Sequence, residues 1–295
     1  MINKIKIFPI YHNKSILFQS DVYEPIQTGC SNTDLDLGIL KDNTGDHISN
    51  KNTQLGELTA WYWIWKNYLP QHPELEYIGF CHYRRFFDFE KAPAWGINQY
   101  PFSKELHFSE FEYNFFPKMS SGEKIYKRIK NYDVIIPEKQ TFLKTVIYDQ
   151  YSHAREVMDA FIDVVKSNYP EYVEDMNNYL YKENKGCFCL QFVMRADLYE
   201  NFMEWTFGVI DKVEKKIDFS QYVGYERRTP AFVMERFFNV WLFHQIRTKK
   251  VKTLERQLYM LVPEYQRKMR IPLRRLKLAV ILILNFFGFN FKVSS

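Results

Sequence analysis

The chain has 295 residues, 46% hydrophobic and 25% charged, with only 11 Gly and 12 Pro, a composition that excludes a disordered or collagen-like polymer. Its formal charge of +5 is unevenly placed: residues 264–295 hold seven Lys/Arg against Glu264, leaving 33 Lys/Arg against 34 Asp/Glu in residues 1–263. A near-neutral body argues against nucleic acid as a partner, because such surfaces carry Lys and Arg across the folded face.

Met1 to Ile10 alternates apolar and polar residues and lacks the apolar run of a secretory leader, so it reads as the first strand of a cytoplasmic domain. Ile5 and Ile7 share one face of that strand, which ends near Tyr11 and His12. Residues 29–53, rich in Gly, Asn, Asp, Ser and Thr, predict a long polar loop of the functional or mobile kind. Asn50 or Asn52 then caps a helix whose apolar stripe is Leu55, Leu58, Tyr62, Trp65 and Leu69, closed by Pro70 and Pro73. Tyr77 to Cys81 reads as a buried strand that emerges at His82 to Arg85, and residues 88–131 as an irregular aromatic insertion. Asp133 to Pro137 is a second buried strand, followed by helices over about 144–166 and 171–183. Phe188 to Met194 is a third. Leu198, Phe202, Trp205, Val209 and Val213 mark an amphipathic helix, and a last one covers about 232–248. Interleaved strands and helices predict an α/β domain with a mostly parallel central sheet over residues 1–263. Four Cys with no C-x-x-C pair exclude a disulfide framework and suit a reducing compartment.

Ligands of open α/β sheets collect at the carboxyl ends of the strands. That rule gathers Tyr11 and His12 with His82, Tyr83, Arg84 and Arg85. Adjacent arginines suit a phosphate, whose oxygens accept paired guanidinium bonds; the alternative is pairing with Asp88 or Glu90. Asn43, Asp46, Asn50 and Asn52 are candidates for sugar or nucleotide hydroxyls, with turn and cap duty as the alternative. Glu57 shares a helix face with Trp61, Ile64 and Tyr68, where a carboxylate needs a partner, a cleft or a solvated first turn. Pro230 starts the last helix and sets Glu235 and Arg236 in its first turns, Glu235 being either a dipole-favoured acid or a general base facing the cleft. Metal ligands are sparse. Asp34-x-Asp36 and Asp88-x-Glu90 offer oxygen ligands for Mg²⁺ or Mn²⁺, but both rank below solvated surface, and no metal site is assigned. Walker A, G-x-G-x-x-G and G-x-S-x-G patterns are absent, which lowers kinase, dehydrogenase and hydrolase readings together.

Three stretches carry a resemblance: Asp42-Asn43-Thr44-Gly45-Asp46-His47-Ile48-Ser49 with Lys51-Asn52, Glu57-Leu58-Thr59-Ala60-Trp61-Tyr62-Trp63, and Tyr77-Ile78-Gly79-Phe80-Cys81-His82-Tyr83-Arg84-Arg85-Phe86. Together with Tyr132 to Pro137 and Glu235 to Trp241, they resemble a bacterial family of capsule and exopolysaccharide biosynthesis. Its members, long catalogued as a domain of unknown function, are regarded as glycosyltransferases, some of them transferring galactofuranose. The resemblance implies a GT-A-like nucleotide-sugar-binding fold with helices flanking the sheet. It also implies a UDP-linked donor, UDP-galactofuranose among the candidates, and a lipid-linked or oligosaccharide acceptor in capsule, exopolysaccharide or O-antigen synthesis. The diphosphate charge then falls to Arg84 and Arg85, with His82 and Tyr83 donating hydrogen bonds. Tyr11, His12, Asn43, Asn52, Glu57 and Arg236 complete the donor site. Glu235 is the first choice to take the acceptor proton and Asp46 the second. Leu190-Gln191 stands where relatives tend to have Asn-Met, and Ala231 where many have Gly, so the donor sugar does not carry over. The rivals are a non-catalytic sugar-binding or assembly protein, stacking sugars on its aromatics, and a phosphotransferase, which lacks its Gly-rich loop here.

Residues 267–277 hold six cations, and Leu278 to Phe289 follow as an almost unbroken apolar run. As a helix that run rises about 18 Å against a hydrocarbon core of about 30 Å, so it is too short to span. It either packs into the domain or lies in a membrane interface. The cations favour the interface, each adding about 1 kcal/mol at an anionic surface. The expectation is a basic, apolar helical tail over 264–295 that attaches the protein peripherally to the inner face of the plasma membrane.

Overall fold

The computed structural model describes residues 4–90 and 102–263, together with Val280. The tail expected to dock on membranes lies, Val280 apart, outside the described residues.

Seven strands form the main sheet, in the order Thr253–Arg256, Val134–Pro137, Phe192–Arg195, Tyr77–His82, Ile5–Tyr11, Ile26–Gln27 and Leu40–Lys41. All neighbours pair in parallel except Phe192–Arg195, which is antiparallel to both of its own. The expected mostly parallel α/β sheet is therefore observed. Alternation along each strand sorts side chains onto two cores. Phe8, Ile10, Ile78, Phe80, Val134, Ile136, Phe192 and Met194 face one, while Ile5, Ile7, Tyr77, Cys81, Ile135 and Val193 face the other. With both faces covered, the strands read as near-continuous apolar runs in the sequence. The first core is closed by the helices Leu58–Trp63, Val146–Asn168, Val173–Lys182, Ala196–Glu214 and Thr229–Lys249. The second is closed by a three-stranded sheet of Arg85–Phe87, Leu258–Val262 and Phe102–His107, with the helices Phe108–Asn114 and Gly122–Ile129. Burying each large apolar side chain contributes about 1.5–3 kcal/mol, and Trp61, Trp241, Phe8, Phe18, Phe80 and Phe86 are among those fully buried.

Three expectations need correction. The helix drawn through Leu55 and Leu69 is interrupted at Gly56, whose φ of 54° ends Asn52–Leu55 before Leu58–Trp63 begins. The segment expected to be irregular is ordered from Phe102, because its aromatics Phe108, Phe111, Phe115 and Phe116 pack on the second core. The strand expected from Phe188 spans only Phe192–Arg195, since Cys189 (φ 87°) and Leu190 (φ 46°) take left-handed conformations no strand contains. Each such residue costs about 1–2 kcal/mol, a strain that clusters at functional sites.

Candidate active site

Ile5–Tyr11 and Tyr77–His82 run parallel with Ile10 opposite His82, so both release the chain at one edge of the sheet. Ile26–Gln27 ends beside Tyr11 and leads into Thr28 there. The antiparallel strand brings its N-terminal lead-in, Phe188 and Cys189, to the same edge. Over that edge the helix Thr229–Lys249 lays Phe232, Glu235 and Arg236. Between them lies a cleft of about 790 Å³.

Two carboxylates and four arginines dominate its polar lining. Glu57, just after Gly56, is buried: its Oε1 lies 3.4 Å from His82 Nε2 and its Oε2 accepts from Arg228 Nη2 at 3.4 Å. Glu235 Oε2 accepts from Arg236 Nη1 at 3.1 Å, and the Arg236 guanidinium lies 4.8 Å from the Phe188 ring. Burial raises the Glu235 carboxyl above the usual carboxylate range. The Glu57 charge adds to that, while Arg236, Arg85 and the Cys189 backbone N–H oppose it. A carboxyl pushed toward neutrality beside a cleft suits a general base.

His82 Nε2 is 3.0 Å from the Cys189 carbonyl oxygen, and a carbonyl only accepts, so the proton sits on Nε2. Burial, then the charge of Arg85, holds this imidazole well below its ordinary pKa. The N–H on Nε2 is turned toward the strained Cys189–Leu190 corner. Arg84 is exposed, with its guanidinium 6.0 Å from the Tyr83 ring; among the described residues it joins no ion pair. The expected alternative for the two arginines does not hold at Glu90, which pairs with Arg128 at 3.1 Å.

His12, Asn52, Glu57, His82, Tyr83, Arg84, Arg85, Glu235 and Arg236 thus line one cleft. Tyr11, Asn43 and Asp46 do not line it. The Tyr11 hydroxyl is buried, donating to the Ile16 carbonyl and accepting from the Phe18 N–H, each at 3.0 Å, so it tethers the loop behind Tyr83. The exposed Asp46 carboxylate accepts from Tyr62 Oη at 3.1 Å, outside the cleft. Neither acidic pair weighed for Mg²⁺ or Mn²⁺ is placed to meet a ligand in the cleft. Asp36 bonds Lys41 at 2.7 Å with Asp34 exposed beside it, and Asp88 is buried while Glu90 takes Arg128. Among the described residues no three His, Cys, Asp or Glu are grouped to hold a metal. The acidic pairs therefore do not fit a metal bound to a diphosphate here.

The sequence missed two residues that shape this edge. Asp42 is fully buried and accepts from the Gly29 and Cys30 N–H groups at 2.8 and 3.0 Å and from the Thr59, Ser49 and Thr28 hydroxyls. Its carboxylate folds the polar loop over residues 29–53 into a fixed wall, with Asn52 bonded to Thr28 and Thr59. The other is Arg228, which the sequence marks only as part of the dense segment 226–236 expected beside the cleft, and which lies against Gly56.

The sequence matches, over residues 6–270, a family described as a domain of unknown function, DUF4422. A comparison with curated proteins finds no match. Among solved structures the chain is similar to the apo structure of WbbM, a bifunctional glycosyltransferase, at 28% identity and a TM-score of 0.78. The similarity covers 88% of this chain and 45% of that one, so this chain spans under half of the protein it matches.

Proposed function

This chain belongs to the DUF4422 family, and we propose that it is a glycosyltransferase moving a sugar from a nucleotide-sugar donor to an acceptor hydroxyl. The observation that carries the reading is the meeting of Arg84, Arg85 and Glu235 at one cleft on the carboxyl edge of the sheet. The acceptor oxygen forms a bond to the anomeric carbon as that carbon's bond to the terminal phosphate oxygen breaks, and a nucleoside diphosphate leaves. Its growing charge is met by Arg84 and Arg85, with the Tyr83 hydroxyl as a further donor; one well-placed donor of this kind supplies about 3–4 kcal/mol. The acceptor proton passes to the Glu235 carboxylate, which is ionised above its raised pKa. This assignment requires inversion at the anomeric carbon.

The similarity to a glycosyltransferase supports sugar transfer as the reaction, and the family resemblance alone favours a UDP-linked donor, with UDP-galactofuranose a candidate, and a lipid-linked or oligosaccharide acceptor of a bacterial surface polysaccharide. Among the described residues no helix is long and apolar enough to cross a membrane. We assign membrane contact to the six cations and apolar run of residues 267–289. Truncation after Tyr265 moves the protein off anionic vesicles on this reading; unchanged vesicle binding refutes it. The enzymatic reading is tested by nucleotide release from a panel of nucleotide sugars offered with lipid-linked and oligosaccharide acceptors. Release with sugar transferred supports it, and binding without release marks a sugar-binding protein instead.

A further inference from the structure

Arg228 ends the short turn Gly224–Arg228 that precedes the helix Thr229–Lys249, and it lies directly over Gly56. A Cβ on residue 56 would sit 2.8 Å from Arg228 Nη2, and the φ of 54° is one that side-chain-bearing residues rarely take. Glycine there both turns the chain and makes room for the guanidinium. The group is held loosely. Its contact to Glu57 is one nitrogen to one oxygen at 3.4 Å, whereas Arg247 clamps Asp175 with two bonds at 2.6 and 2.9 Å. Arg228 Nε is buried and has no hydrogen-bond partner among the described residues, yet 44% of the side chain is exposed at the cleft. A planar fork with spare donors, beside the exposed Arg84, is built for an anion with several oxygens.

We propose that Arg228 is a third arginine of the diphosphate site, parked on Glu57 in the free protein and shifting its guanidinium onto the phosphate oxygens of a bound nucleoside diphosphate. The proposal rests on the glycosyltransferase reading. It gives a role to one arginine of the dense segment 226–236, to which the sequence assigns none. Parking also keeps the Glu57 charge compensated while the cleft is empty, where an unpaired buried carboxylate is costly.

Calorimetric titration of the full chain with UDP tests it. Arg228→Ala weakens binding about 10–100-fold, the loss expected for one charge-assisted contact. Gly56→Ala, which keeps the arginine in the chain but displaces its guanidinium, weakens binding in the same direction, and Gly56→Ala/Arg228→Ala binds no worse than Arg228→Ala alone. The decisive protein is Glu57→Gln/Arg228→Ala. If Arg228 touches the diphosphate, removing the Glu57 charge does not restore affinity. Recovery to within about twofold of wild type overturns the proposal, because Arg228 then only neutralises Glu57. Wild-type-like binding by Arg228→Ala overturns it too, while leaving the enzymatic reading intact. If the wild-type protein binds UDP, GDP, ADP and CDP not at all, the enzymatic reading and this proposal fall together.

Discussion

The two ends of the helix Thr229–Lys249 treat buried carboxylates in opposite ways. Near its C-terminal end, Asp175 accepts from Arg247 at 2.6 and 2.9 Å and lies 2.7 Å from His244 Nδ1. Burial alone would push that carboxyl up, but Arg247 and His244 outweigh it and hold it below the usual range. Toward the N-terminal end, Glu235 has the Arg236 guanidinium and the Glu57 carboxylate for neighbours, and burial wins, so its carboxyl is raised. A saturated carboxylate is an anchor; an undersaturated one at a cleft is available for chemistry. The residue type is not what separates them. The number of donors each one receives is.

The contrast is most open to attack through turnover. Glu235→Gln should cost about 10²–10⁴-fold in kcat, the range for losing a general base, with the thermal midpoint little changed. Arg84→Ala should likewise abolish transfer and leave the fold intact, because its side chain is exposed and makes no ion pair among the described residues. Near-normal transfer by that variant removes it from the mechanism. At the other end, Asp175→Ala should cost about 3 kcal/mol, or about 5 °C in Tm for a chain of this length. That is the lower part of the range for a broken buried pair, because the Arg247 side chain is 46% exposed and partly screened.

Smaller effects sharpen the same comparison through pH. The folded-state pKa of Asp175 is lowered, so its stabilisation is complete above the unfolded carboxylate value and is lost as pH falls through the folded one. Glu235 is raised, so its sign reverses: its cost is absent below the unfolded value and grows as pH rises toward the folded one. Chemical denaturation across pH 3–8, a span of about five units around the carboxylate range, should therefore show Glu235→Gln gaining on wild type as pH rises. Asp175→Asn should lose ground over the same span. Parallel curves would break the distinction. The smallest effect expected is at Cys189, whose φ of 87° Gly adopts freely; Cys189→Gly should gain about 1 kcal/mol of stability.

Much of this was legible before the fold. Apolar runs located Ile5–Tyr11, Tyr77–His82 and Val134–Pro137, and the abrupt basic turn after Cys81 marked the strand end where the cleft opens. Glu57 stood out because a carboxylate on an aromatic helix face demands a partner, and it has two in His82 and Arg228. What the sequence concealed depends on backbone geometry. Gly56 breaks a helix whose side-chain periodicity is uninterrupted, and Cys189 with Leu190 leaves the strand conformation with no Gly or Pro to signal it. Asp42 sits in a run of Asn, Asp, Thr and Gly where any member is a plausible turn residue, and only the fold brings five donors to it. Asp46, in the same run, looked as good and bonds Tyr62 outside the cleft.

On the proposed reading Glu235 is the base of a sugar transfer whose leaving diphosphate is held by Arg84 and Arg85. The most direct measurement is sugar transfer and nucleotide release followed together against pH, for wild type, Glu235→Gln and Arg84→Ala, with the nucleotide sugar that wild type uses fastest. Wild-type turnover should rise with pH through a pKa above the ordinary carboxylate value, that limb should vanish with the residual activity of Glu235→Gln, and Arg84→Ala should release no nucleotide. A Glu235→Gln protein that transfers sugar at the wild-type rate, with the same pH limb, would contradict the account.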